Sequence, residues 1–267
     1  MSAMSIIMSL SGAEIVPIKT FLFWGQSNMN GLGKNSEVSG ADSKYTGVRT
    51  NNLILGGLTS GAFQLYQSGL NSRTVYNASY DFGPECSCAY DIADSLGEKI
   101  AIIKWGQDGT PFTEPGVTDW NVNSVDELFN TVIYDPETHD SFCEAGTTLL
   151  TQLGYSADWR AMFGAHGERD ATLGNTGYYE DFLAFINAVR LRLNAPNLPN
   201  IFLKLRDIAT IPVANCNEIQ ADMAQIVIDD SNSIMIDCDD LGTSLHYNTA
   251  QLITVGQRMA TAYLNTL

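Results

Sequence analysis

Apolar residues in this chain fall into short runs separated by longer stretches with helical spacing. The runs Thr20–Trp24, Lys99–Trp105, Trp159–Gly164, Asn200–Leu205 and Ser233–Ile236 are strand length, and most carry Ile, Val or Phe. The segments between them repeat at a helical period. Glu85–Leu96 follows Gly83-Pro84, and proline suits a first helical turn. Ser141–Leu153 is closed by Gly154. Tyr178–Leu193 places Phe182, Phe185, Ile186, Val189 and Leu193 on one face, and Glu218–Ile228 and Thr249–Leu264 show the same pattern.

Strand and helix therefore alternate along the chain. That order predicts an α/β protein, a three-layer α/β/α sandwich with a central parallel sheet of about five strands. Right-handed crossovers put the carboxyl ends of all the strands on one edge, where ligands bind in such folds. Two connections are too long for this rhythm, residues 33–81 and 107–140. The first carries candidate short strands near Val48–Leu53 and Ala62–Tyr66. Both connections are expected to wall the site within a single domain spanning 1–267, with residues 1–19 as an N-terminal extension.

Composition narrows the function classes. The 267 residues include 30 acidic and 14 basic side chains, a net charge of −16. Such a surface repels phosphate backbones, so no nucleic-acid partner is expected. No stretch approaches the ~20 apolar residues of a membrane span, and the first 20 residues lack the basic start and long apolar core of a signal peptide. The five cysteines, Cys86, Cys88, Cys143, Cys216 and Cys238, are odd in number and irregularly spaced, which reads as buried free thiols.

Polar residues collect where the predicted strands end. Gln26, Ser27 and Asn28 follow the first strand, and Gln107-Asp108-Gly109-Thr110 the second. His166-Gly167-Glu168-Arg169-Asp170 follows the third, Arg206-Asp207 the fourth, and Asp237-Cys238-Asp239-Asp240 the fifth, with His246 just before the last helix. A serine needs an adjacent base to attack a carbonyl, and histidine, titrating near neutrality, is the usual one. The three histidines are His139, in a polar stretch and expected to be solvated, and His166 and His246, both at strand ends or helix entries. Gly25-Gln-Ser-Asn-Met29 is not Gly-x-Ser-x-Gly, so the α/β-hydrolase elbow is not matched. By spacing alone, Ser27 is more often a turn residue or helix cap than a nucleophile.

Taken together, the motifs resemble a known family. "FLFWGQSNMNG" (21–31) is similar to the first block of the sialate O-acetylesterase and acetylxylan esterase family, a branch of the SGNH hydrolases. "DFGPE" (81–85), "GQDGT" (106–110) with Trp120, "HGERD" (166–170) and "LHYNTAQLITVGQRMATAY" (245–263) resemble its later blocks in the right order. The resemblance spans residues 20 to 265 and implies a flavodoxin-like SGNH fold. It further implies a cofactor-free serine esterase that removes O-acetyl groups from sialate- or xylan-type carbohydrate through an acetyl-enzyme. Ser27 would be the nucleophile and His246 the base. The backbone N–H groups of Ser27 and Gly83, with Gly109 or Gln107, would form the oxyanion site, and Gln26 and Asn28 would flank it.

Three positions depart from the family pattern. Thr243 stands where the family has the aspartate three residues before the histidine. The resemblance then points to Glu168 as the triad acid, with Asp239 and Asp240 as fallbacks. His166 replaces a glutamine and Asp108 a glycine. Thr243, with the Trp and Tyr content of the long connections, also motivates an alternative, a catalytically weak or inactive glycan-binding relative. A metal-dependent hydrolase built on His166, Glu168, Asp170 and Asp237–Asp240 is a third reading, although the leading one expects no metal.

Overall fold

The computed structural model describes residues 14–56, 59, 61–72, 79–114, 118–122, 128–135, 137 and 141–267. Its seven strands form one sheet in the order β3-β2-β4-β1-β5-β6-β7. They are β1 (Val16–Gly25), β2 (Arg49–Gly56), β3 (Gln64–Tyr66), β4 (Ile100–Gly106), β5 (Tyr155–Ala165), β6 (Asn200–Leu203) and β7 (Ser233–Ile236). Every pairing is parallel except β2 with β3. The expectation of about five strands is thus corrected to seven. The two additions arise inside the first long connection, where β2 pairs with β4 and β3 turns back as an antiparallel edge. Both coincide with the candidate short strands near Val48–Leu53 and Ala62–Tyr66.

The helices are α1 (Ser27–Asn30), α2 (Glu85–Leu96), α3 (Leu128–Val132), α4 (Phe142–Gln152), α5 (Glu168–Leu173), α6 (Tyr178–Arg192), α7 (Val213–Asp229) and α8 (Thr249–Leu264). Alternation along β1 sorts the core into two layers. Phe21 and Phe23 pack with Ile92 of α2 and Met259 of α8. Leu22 and Trp24 face the other way, toward Phe182 and Phe185 of α6 and Ile219 and Met223 of α7. β1 is buried from Thr20 to Gly25, as a central strand covered on both faces should be. All five cysteines are free and buried in these layers.

Three strands finish level with one another. Gly25 of β1 pairs with Gly106 of β4 on one side and Ala165 of β5 on the other. The segments that follow, starting at Gln26, Gln107 and His166, therefore emerge side by side. Two glycines make this junction compact. Gly25 has φ +142°, and a Cβ there would lie 2.1 Å from the Ala165 carbonyl oxygen. A Cβ on Gly106 would lie 2.3 Å from the Asn30 nitrogen, so α1 rests directly on the end of β4.

Candidate active site

Ser27 opens the single turn α1 immediately after β1, and His246 lies three residues ahead of α8. Although 219 positions apart, their side chains meet, with His246 Nε2 2.9 Å from Ser27 Oγ. The entry to α8 is fixed by a reciprocal cap in which Asn248 Oδ1 accepts from the Gln251 N–H at 3.0 Å and Gln251 Oε1 from the Asn248 N–H at 2.9 Å. Ser27 and His246 open into a cavity of about 310 Å³ whose other walls include Gln26, Asp108, Gly109, Glu168, Arg169 and Leu245. The connection 107–140 supplies Asp108 and Gly109 to this lining, and no described residue of 33–81 lines it.

The other expected residues are placed as follows. Glu168 is at the cavity, yet its Oε1 accepts a hydrogen bond from Asn28 Nδ2 at 2.5 Å and its Oε2 is buried without a partner. Among the described residues His246 makes one side-chain hydrogen bond, to Ser27. Glu168 is therefore paired with Asn28 where the sequence had pointed to the imidazole. The fallback carboxylates turn away, Asp239 to Lys204 at 2.5 Å and Asp240 to Arg258 at 2.6 Å. Thr243 is exposed, and its carbonyl receives the Ala209 N–H.

The expected oxyanion donors divide in the same way. Ser27 carries its N–H in the first turn of α1, where a helix has no internal acceptor, and among the described residues that N–H has no hydrogen bond. Gly109, at φ +71°, lines the cavity. Gly83 is buried behind α1 and gives its N–H to Glu85 Oε1 at 3.2 Å, which corrects its expected place at the oxyanion. The Gln107 N–H is taken by the Gly25 carbonyl at 3.0 Å. Gln26 accepts from the Arg169 N–H through its side chain, while its Nε2 is buried without a partner. Asn28 is 1% exposed and spends its amide on Glu168 and on the chain flanking His246, which corrects its expected place beside the substrate.

His166 lies under the site. Its Nε2 is 3.0 Å from the Thr110 carbonyl, and its ring packs against Trp24, Phe112 and Tyr178. Burial holds its pKa down at about 3, so it stays neutral. Asp170 stands 3.7 Å from His166 Nδ1, and burial pushes its carboxyl up to about 7. No group of three or more His, Cys, Asp or Glu side chains is placed to hold a metal among the described residues, and the set drawn up for a metal hydrolase is scattered among these separate partners. His139 lies outside the described residues.

Two features escaped the sequence. Lys104, the one charge in the run Ile100–Trp105, is fully buried beneath α1. Its Nζ lies 2.6 Å from Glu85 Oε2 and donates to the carbonyls of Asn30, at 3.1 Å, and Ser72. A lone lysine amid isoleucines was the available signal. The second feature is Arg169, clamped by Glu114 through hydrogen bonds of 2.9 and 2.7 Å.

A serine hydrogen-bonded to a histidine at the carboxyl edge of a parallel sheet is the arrangement of a serine hydrolase. The family whose sequence profile matches, over residues 17–265, is described as "Carbohydrate esterase, sialic acid-specific acetylesterase". The chain belongs to this family, and so is a carboxylic ester hydrolase with an acetylated carbohydrate as its substrate. No curated protein matches it significantly. Among solved structures it is similar to a protein from Arabidopsis thaliana, with 19% identity, a TM-score of 0.69, and 93% of this chain and 98% of that one covered. It is also similar to a carbohydrate acetylesterase from Xanthomonas citri, with 16% identity, a TM-score of 0.64, and 91% and 55% covered. NanS shares 13% identity at a TM-score of 0.60, with 94% and 98% covered. At such identities the likeness establishes the fold.

Proposed function

We propose that the chain removes acetyl groups from a neutral sugar, with Ser27 as nucleophile and His246 as general base and then acid. The observation that carries this reading is the 2.9 Å contact between His246 Nε2 and Ser27 Oγ. His246 takes the hydroxyl proton as Oγ adds to the acetyl carbonyl. The oxyanion so formed faces the Ser27 N–H and the Gly109 wall, and preorganised donors of this kind are usually the largest electrostatic contribution. The tetrahedral species collapses by breaking the bond to the sugar oxygen, which receives the proton from His246. Water, deprotonated by the same imidazole, then adds to the acetyl-serine, and acetate leaves as Oγ regains its proton.

Charge at the cavity supports the neutral sugar. Asp108 and Glu168 both line it. Arg169 is the only cation among the described lining residues, and Glu114 already holds it through two hydrogen bonds. A sialate carboxylate would have to displace Glu114 and approach a chain of net charge −16.

The nucleophile is tested by acetate release from p-nitrophenyl acetate with the wild type and Ser27→Ala, and equal rates would sink it. Fluorophosphonate labelling of Ser27 separates an enzyme from a weak glycan-binding relative. The sugar is tested by comparing kcat/KM on acetylated xylo-oligosaccharide and on O-acetylsialic acid at low salt. The neutral substrate should be favoured. Glu114→Gln should shift the ratio toward sialate by about tenfold, the equivalent of about 1.4 kcal/mol. A wild-type preference for sialate would overturn the choice of sugar and leave the serine mechanism standing.

A further inference from the structure

Resting on the esterase reading above, we propose that Asn28, oriented by Glu168, is the residue that positions His246 for the reaction. Among the described residues no carboxylate bonds the second nitrogen of the imidazole, so the backbone that carries the ring sets its orientation. Asn28 holds that backbone on both sides of His246. Its Nδ2 donates to the Leu245 carbonyl at 3.2 Å, and its Oδ1 accepts from the Tyr247 N–H at 3.1 Å. The residues bonded are the two immediate neighbours of His246. Because Asn28 itself follows Ser27, one peptide bond and one short side chain connect the nucleophile to the peptide segment bearing the base.

Glu168 decides which way the amide points. Its Oε1 accepts from Asn28 Nδ2 at 2.5 Å. A flipped amide would set Oδ1 against a carboxylate and a carbonyl, and NH₂ against an N–H, so one orientation satisfies all three bonds. At 1% exposure Asn28 is shielded from bulk solvent, and a hydrogen bond to a carboxylate is among the stronger kinds. Arg206 steadies the same segment from the far side. It is 3% exposed, donates to the carbonyls of Leu241, at 2.9 Å, and Ser244, and lies 3.8 Å over the Tyr247 ring. Glu168 thus acts on His246 through Asn28.

Asn28→Ala should keep KM within about threefold and lower kcat about a hundredfold, the scale of an ångström of misplacement. Asn28→Asp retains the acceptor for Tyr247 but sets a second carboxylate against Glu168. It should work only while one of the two is protonated, adding to the pH profile a new descending limb that a merely structural role would not produce. Glu168→Ala should resemble Asn28→Ala. Glu168→Gln keeps an acceptor for Nδ2 and should recover most of that loss. A kcat for Asn28→Ala within threefold of wild type would overturn the proposal. So would equal impairment of Glu168→Gln and Glu168→Ala, which would mean that the glutamate charge acts directly on the imidazolium. The glutamate pair decides the matter if the Asn28 variants do not fold. If the wild type releases no acetate, the esterase reading fails on its own. The histidine NMR resonances of His246 in wild type and Asn28→Ala then still decide, an unchanged ring signal counting against positioning.

Discussion

Lys104 and Glu85 show what a single residue does far below the cavity. Both side chains are fully buried, and burial pushes the Glu85 carboxyl up against the pull of the lysine. Lys104 also ties Asn30, the last residue of α1, to Ser72. Replacing one partner strands the other charge in the core. Lys104→Met should therefore cost about 3–5 kcal/mol in urea unfolding, and Lys104→Met with Glu85→Leu distinctly less than the sum of the single variants. Additive losses would mean that the two side chains act independently. The residue scale is also where the sequence was least legible. Ser27 and His246 could be nominated because motif order singled them out. The acid nominated there is Glu168, with Asp239 and Asp240 as fallbacks, but all three lie at strand ends and only the fold assigns them to Asn28, Lys204 and Arg258.

At the scale of elements, His166 and Asp170 join two connections. Asp170 Oδ1 accepts from the Phe112 N–H at 3.0 Å, and His166 Nε2 meets the Thr110 carbonyl, so the segment after β4 is pinned to the start of α5. Their titrations oppose one another. The His166 pKa falls from 6.5 to about 3 on folding, so its contribution is complete above pH 6.5 and is lost as pH falls. The Asp170 pKa rises from 3.8 to about 7, so its contribution is complete below pH 3.8 and is lost as pH rises toward 7. Between about pH 4 and 6.5 the two slopes offset each other. Asp170→Asn should leave the histidine slope alone, and the Tm of the variant should drop more steeply than that of the wild type as pH is lowered from 6.5 to 4. His166→Gln should tilt the other way. Parallel melting curves across that range would exclude this pairing. Helix limits were well read from sequence where caps or apolar spacing marked them, as in α2 and α8. The six residues of α5 carry no helical apolar spacing, and tertiary contacts hold the turn.

Across the whole molecule, alternation of strand and helix was legible because a central parallel strand must be apolar on both faces, and β1 is. The candidate short strands of the first connection form β2 and β3, but their place in the sheet was not legible, since they gain their partners from β4 and from each other. The common level at which β1, β4 and β5 end turns that topology into a site, and a net charge of −16 repels an anionic substrate approaching it. Raising the ionic strength should narrow the gap between neutral and sialylated substrates by speeding the anionic one, read as kcat/KM from 10 mM to about 0.3 M salt. A gap unchanged by salt would assign the selectivity to shape.

The burial of every thiol has a practical consequence. Burial raises the Cys86 pKa to about 12 and also raises those of Cys88, Cys143 and Cys238, leaving scarcely any thiolate for electrophiles. The native protein should ignore Ellman's reagent and release colour in step with unfolding, so that its own sulfur reports the transition. One cysteine placed at Thr172, on the cavity wall, would then be the sole reactive handle, and a fluorophore attached there could follow sugar binding without removing a single native cysteine.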